Sequence, residues 1–242
     1  MKLLLLIIQS GPMSETTVVI KTIGRPTLKA AMRSAKREGF RPIVVSDGAR
    51  VSAQGALKYV KLGKRWGYYG GMAANVGAAL AETEFITFLD DDDEFAVGAG
   101  DIIRRKLKES PNIDIWIAGI ELGTPVDVFD TGLKWIRKGG APEGTWTSIR
   151  SESPGTVLKK ESLTLGMSPE LGPIAGNVCM PTFRTSIFSK VPFKDCIPEE
   201  QASMTDFWHV AHCLQEGFTL DWFKEVIYLV RPIVGGLNGE GL

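Results

Sequence analysis

Short apolar runs that stop abruptly at polar turns, with helical sequence between them, constrain this chain more than any other feature. Residues 17–22 are β-branched and end at Gly24-Arg25-Pro26. Residues 27–38 then place Leu28, Ala31, Met32 and Ala35 on one helical face. A second apolar run, 42–46, stops at Asp47-Gly48, and residues 65–69 read as a third strand. Residues 70–81 are Ala-rich and helical, and 84–89 form a fourth strand running straight into Asp90, Asp91, Asp92 and Asp93. Alternation of this kind predicts a mostly parallel sheet with helices on both faces. Ligands of such sheets bind beyond the carboxyl ends of the strands. Thr22, Arg25, Asp47 and the four aspartates should therefore gather along one edge.

The second half is less regular. Residues 101–109 read as a helix, and 113–120 and 126–129 as strands. Residues 139–176 are rich in Gly, Pro, Ser and Thr and have little periodicity, the pattern of a long functional or mobile loop. Residues 205–216 form a helix with Thr205 as a possible cap and Gly217 as its stop, and 226–230 form a last strand. The chain's 242 residues, 44% hydrophobic, suit one α/β domain better than two small ones.

Charge and cysteine content exclude several classes. Lys+Arg and Asp+Glu balance at 28 each, so no global field draws nucleic acid or an anionic membrane. Two local basic runs (Lys29, Arg33, Lys36, Arg37 and Arg41; Lys58, Lys61, Lys64 and Arg65) read as solvated faces. Cys179, Cys196 and Cys213 are odd in number and lack CxxC spacing, against a disulfide framework or structural zinc and for a reducing, cytoplasmic setting. The apolar stretch 3–8 is too short for a signal peptide core or a membrane span, and no membrane span is expected elsewhere. Met13 opens a second plausible start, so residues 1–12 read as an extension before a domain at 13–242.

Asp90 to Glu94 carry the chemistry. Five consecutive acids repel one another, and placing them at the end of a buried strand is costly unless a cation neutralises them. Their hard oxygen atoms suit Mg²⁺ or Mn²⁺. An acidic turn or a helix N-terminus is the other reading of the run.

Asn75-Val76-Gly77, followed by Phe85-Ile86-Thr87-Phe88-Leu89-Asp90-Asp91-Asp92-Asp93, resembles the core signature of family 2 glycosyltransferases of the GT-A fold. The resemblance extends to Thr22 through Pro26, to Val45-Ser46-Asp47-Gly48, to Gly176-Asn177 through Phe183-Arg184, and to Asp206-Phe207-Trp208 with Gly217-Phe218. It covers roughly residues 17–95 and 176–231. Departures are Ala74, Thr205 and His212, where the family commonly has Arg, Glu and Arg, and the absence of Gln-x-x-Arg-Trp.

The resemblance implies a Rossmann-like GT-A domain with a nucleotide-sugar half at 17–95 and an acceptor half at 96–242. It implies a metal-dependent, inverting transferase that moves a sugar from a nucleoside-diphosphate sugar, a UDP-sugar foremost, to an acceptor hydroxyl. That hydroxyl can belong to a glycan, a lipid carrier, a protein, a small molecule or a modified base. Thr22, Arg25, Asp47, Asn75, Asp90 and Asp91 would contact the donor. Asp92 and Asp93, the end of an Asp-x-Asp motif, would hold the metal, and Asp206 would be the general base. Gly176, Asn177, Trp208 and His209 would face the acceptor, although His209 and His212 also read as ordinary buried helix residues. Arg184 and Arg231 join Arg25 as candidate diphosphate contacts, and Trp222 joins Trp208 as a candidate sugar platform. Two other classes stay open: a sugar-phosphate nucleotidyltransferase and a non-catalytic nucleotide- or carbohydrate-binding module.

Overall fold

A computed structural model of the chain describes residues 16–67, 70–122, 124–126, 134–138, 146–150, 155, 157–166, 181–194 and 205–230. The first half alternates as expected: β1 (Thr16–Thr22), α1 (Leu28–Arg37), β2 (Pro42–Ser46), β3 (Lys58–Lys61), α2 (Gly71–Leu80) and β4 (Phe85–Asp90). β5 (Glu94–Phe95), α3 (Ala99–Glu109), β6 (Ile115–Leu122) and β7 (Thr124–Val126) follow. Then come β8 (Lys134–Lys138), β9 (Trp146–Arg150), β10 (Leu163–Gly166), β11 (Thr182–Arg184), α4 (Thr205–Gln215) and β12 (Leu220–Leu229).

Among the described residues the main sheet has nine strands in the order β3-β2-β1-β4-β11-β6-β12-β5, with β7 paired to β6. β1, β2, β3 and β4 are mutually parallel, and β6 and β12 are parallel to each other. β11 runs antiparallel between β4 and β6. The central strands are near-continuous apolar runs because both faces are covered: Val18, Val19, Ile20, Val44, Ile86 and Leu89 have no exposed surface. Right-handed crossovers put α1 and α2 on opposite faces, since the chain moves outward from β1 to β2 and then back across β1 to β4.

That reversal places the switch point of the sheet between β1 and β4. Ligands of such sheets bind at this point, and here the loops leaving the two strands meet at Asp91. The contact between α2 and the sheet is close at Gly77. A Cβ there would lie 2.3 Å from Val19 Cγ1, so only glycine lets the helix approach.

The third strand is β3 at Lys58–Lys61, not residues 65–69. Its Lys-Tyr-Val-Lys sequence alternates half-buried and exposed positions, the pattern of an edge strand, and lacks the apolar run that marked the others. Residues 65–67 are instead a loop. β12 starts at Leu220, well before residue 226, and bulges between Trp222 and Val226, which interrupts the alternation. The expectation of one long loop at 139–176 is corrected in part. β9 and β10 fall inside it and form, with β8, a separate antiparallel sheet in the order β10-β9-β8. Leu158 bridges to Leu220 of the main sheet. Among the described residues no helix is long and apolar enough to cross a membrane.

Candidate functional site

The loops leaving β1, β2 and β3 lie side by side at the carboxyl edge of the sheet. Asp47 N–H donates to Thr22 O at 2.8 Å, and Leu62 N–H to Ser46 O at 2.8 Å. Gly24 adopts φ +97°, and a Cβ on it would lie 2.9 Å from Ala49 Cβ.

Asp91 organises the first loop. Its carboxylate is 1% exposed, and Oδ2 accepts from Thr22 Oγ1 at 2.5 Å and from the N–H groups of Ile23 and Arg25 at 3.2 Å each. Oδ1 accepts from Arg25 Nη1 at 2.6 Å, and the same nitrogen lies 3.4 Å from Asp92 Oδ1. A buried carboxylate with four donors has its hydrogen-bonding capacity met. The sequence thus supplies, within one acidic run, an anchor that wraps the 22–25 loop around the end of β4. Burial works against the charge of Arg25, but its hydrogen bond to Asp91 and the charges of Asp91, Asp92 and Asp90 together raise its pKa.

Asp90 and Asp92 are half-buried and Asp93 is buried. They each offer an oxygen, and these oxygens lie within 4.8 Å of one another, close enough to share one cation. The turn that brings them together is closed by Asp93 N–H to Asp90 O at 3.1 Å. Lys21 Nζ, from the neighbouring strand in the register Lys21↔Asp90, lies 2.9 Å from Asp90 Oδ1. Burial raises the pKa of the Asp92 carboxyl, Arg25 opposes the shift, and the charges of Asp90 and Asp91 add to it. The donor set is therefore all carboxylate oxygen, with Lys21 beside Asp90 and Arg25 beside Asp92. This chemistry fits Mg²⁺ or Mn²⁺.

Other expected site residues are placed differently. Asp47 is buried, and its two oxygens accept from the N–H groups of Trp66, at 2.7 Å, and Gly67, at 2.9 Å. Its carboxylate holds the 65–67 loop. Asn75 is likewise occupied: Nδ2 donates to Phe193 O and Oδ1 accepts from Phe193 N–H, both at 2.8 Å. Its amide clamps the 181–194 segment to α2. Position 74, where the resemblance leads one to expect arginine, is a buried alanine.

Arg184 is corrected as a diphosphate candidate. It sits opposite Phe85, at the amino end of β4, where it pairs with Glu84 and donates to Pro111 O at 2.6 Å. His209 is a core residue, 3% exposed, with ring centroids of Phe193, Phe183 and Phe188 at 3.9, 5.2 and 5.3 Å. Trp222 is also core, at 1% exposure, which removes it as a sugar platform. Asp206 lies half-buried in the first turn of α4. Gly176, Asn177, Arg231 and the side chain of Trp208 lie outside the described residues.

Two residues at this edge escape a reading by periodicity. Lys21 is the one charge in the β1 run, and only the strand register shows that it faces Asp90. Trp66 is 40% exposed, with Lys64 Nζ 4.2 Å from its ring centroid and its N–H held by Asp47.

No family model matches the chain, and no curated protein matches it. Among solved structures, S. aureus TarS 1–349 superposes with a TM-score of 0.58 at 16% identity, over 89% of this chain and 60% of that one. TarS 1–349 in complex with UDP-GlcNAc gives a TM-score of 0.57 at 14% identity, covering 93% of this chain and 60% of that one. TarS 1–349 in complex with UDP gives 0.55 at 14% identity, over 89% and 60%. The chain thus spans about 60% of the length of these TarS structures. At such identities the likeness shows the fold alone. It is an α/β fold of the GT-A type, with a mostly parallel sheet and helices on both faces.

Proposed function

We propose that the chain is a metal-dependent, inverting glycosyltransferase that uses a nucleoside-diphosphate sugar, a UDP-sugar foremost. The observation that carries this reading is the Asp90, Asp92 and Asp93 cluster at the end of β4, beside the switch point of the sheet. Support also comes from the GT-A fold, shared with a protein solved with UDP and with UDP-GlcNAc.

In this reading Asp90, Asp92 and Asp93 would hold Mn²⁺ or Mg²⁺. The ion, when bound, would offset charge on the departing diphosphate as a Lewis acid. Asp91 keeps the 22–25 loop closed against the cluster, and Arg25 presents a cation at its rim. Lys21 balances Asp90 from the β1 side. Asp206 would accept the proton of the acceptor hydroxyl as that oxygen attacks the anomeric carbon. One carboxylate on the acceptor side suffices for a single displacement with inversion. The loop after β1 argues against a nucleotidyltransferase, since it is only a few residues long and is drawn in onto Asp91.

Calorimetry of UDP binding tests the metal. Without a metal cation, phosphate approaches three clustered carboxylates, so wild-type affinity should be at least about tenfold higher with Mn²⁺ than with EDTA. Asp92→Ala should abolish that difference. Equal affinity in all four conditions removes the metal site.

A further inference from the structure

Charge is unevenly distributed along this neutral chain. Residues 16–67 hold twelve lysines and arginines but only two acids, Glu38 and Asp47. Both acids are buried and engaged. Glu38 accepts from Arg37 Nε at 2.8 Å and from Gly100 N–H at 3.2 Å, and Asp47 accepts from Trp66 and Gly67. Lys21, Arg25, Arg37 and Lys58 have carboxylate partners. Lys29, Arg33, Lys36, Arg41 and Lys61 are exposed and pair with no carboxylate among the described residues. A stretch without exposed acids is more than the usual solvated helix face, where charges of both signs mix.

The fold assembles these cations on one side. Lys29, Arg33 and Lys36 recur at four- and three-residue spacing, so they form one stripe along α1, opposite the buried Leu28, Ala31, Met32 and Ala35. Along β3, Lys58 reaches Leu80 O of α2 at 2.9 Å, which puts its side chain on the α2 face. Leu57, Tyr59 and Lys61, offset by one residue, therefore lie on the α1 face. Lys36 Nζ borders Gly55, in the segment leading into β3. Leu57 N–H donates to Pro42 O at 2.8 Å, which sets Arg41 beside Leu57. Two apolar side chains stand open within this frame, Leu57 at 42% and Tyr59 at 41% exposure. Asp101, an exposed acid in the first turn of α3, is paired with Arg104 at 2.7 Å.

We propose that the α1–β3 face docks the protein on an anionic phospholipid bilayer. A bilayer surface offers both things the face presents a use for: phosphate charge for the cations, and an apolar boundary for Leu57 and the ring of Tyr59. Single-stranded nucleic acid is recognised by a groove with a row of stacked aromatics, whereas this face is the outside of a helix and an open sheet edge. Lys61 stands at the carboxyl end of β3, in register with Ser46 and next to the loops around Asp47 and Thr22. Docking therefore brings the metal-cluster edge of the sheet toward the membrane. The inference rests on charge and exposure and holds whether or not the transferase reading does.

Flotation with vesicles of phosphatidylcholine, with and without phosphatidylglycerol, tests it on the full chain. The wild type should float only with phosphatidylglycerol, and less in high salt. At about fivefold per surface cation, Lys29→Gln/Arg33→Gln/Lys36→Gln should weaken binding about a hundredfold. A charge-matched control, Lys108→Gln/Lys159→Gln/Lys160→Gln, should bind like the wild type. Leu57→Ser/Tyr59→Ser should weaken binding without changing its salt dependence. All these side chains are exposed or half-exposed, and an unchanged thermal midpoint verifies folding. Three outcomes overturn the proposal: no flotation with phosphatidylglycerol at low salt, equal losses in the α1 and control variants, or tighter binding to an oligonucleotide than to the anionic vesicles.

Discussion

The ring of His209 stacks 3.9 Å from that of Phe193, and burial, with a smaller effect from His212, pushes its pKa down to about 3. Cys213 Sγ lies 3.7 Å from Nε2. The imidazole therefore stays neutral in the fold, while in the unfolded chain it titrates near its ordinary value. Between those two values the unfolded state binds the extra proton, so stability rises with pH. The contribution is full above about pH 6.5 and is lost as pH falls toward 3, with a slope of at most about 1.4 kcal/mol per pH unit. His209→Phe should remove that slope whatever its effect on stability at neutral pH. Urea midpoints at about pH 7 and about pH 5 check it. Burial also lowers the pKa of His212, so a smaller slope of the same sign should remain. Identical slopes in both proteins would mean that burial does not lower the pKa of His209 in the fold.

At the scale of elements, α2 and its neighbours show why the Asn75-Val76-Gly77 signature takes this form. Gly77 lets the helix lie on Val19, and Asn75 clamps Phe193, whose ring stacks on Phe188 and His209. One helical turn of sequence thus joins β1, the 181–194 segment and α4. Gly77→Ala gains about 1 kcal/mol of helix propensity but drives a methyl into a stiff β-branched side chain. Overpacking should win, with a net loss of about 1–3 kcal/mol in denaturant unfolding. Val19→Ala in the same chain should recover part of it, since the clash is with the Val19 methyls. If Gly77→Ala is neutral or stabilising, α2 does not lie this close to β1. Aromatic content alone would not have revealed the clamp, because it depends on residues 118 positions apart.

For the whole molecule, the proposed function puts donor and acceptor chemistry on different parts of the chain. The acidic cluster stands on β4, and Asp206 begins α4, with β6, β11 and the small β8–β10 sheet between them in sequence. Asp206→Asn keeps the size and much of the hydrogen bonding but cannot take a proton. UDP affinity in Mn²⁺ should stay within a few-fold of wild type, while single-turnover transfer falls roughly 10²–10⁴-fold. If the residue serves only as a first-turn helix acid, the pattern reverses, with a small stability loss and near-normal transfer. Glu199 and Glu200 are the carboxylates that precede Asp206 most closely in the sequence, so Glu199→Gln and Glu200→Gln are the controls for a shifted assignment.

The sequence by itself determined the sheet strands β1, β2 and β4, the helices between them and the edge where polar residues collect. Each of those strands is a local apolar run with its own stop signal, and parallel topology follows from their alternation. It also singled out the acidic run. Only the tertiary structure divided that run into an anchor, Asp91, tied to the 22–25 loop, and a group of converging oxygens from Asp90, Asp92 and Asp93, because the division depends on which loop folds over which carboxylate. The edge strand β3 and the inserted strand β11 were not legible. One alternates with solvent, and the other is three residues long and is made a strand by partners on both sides. Asp47 and Asn75 carried the right residue types for ligand contacts, yet the backbone groups of Trp66, Gly67 and Phe193 reach them first. Such long-range hydrogen bonds have no local signature, since they form only once the sheet has brought distant segments together.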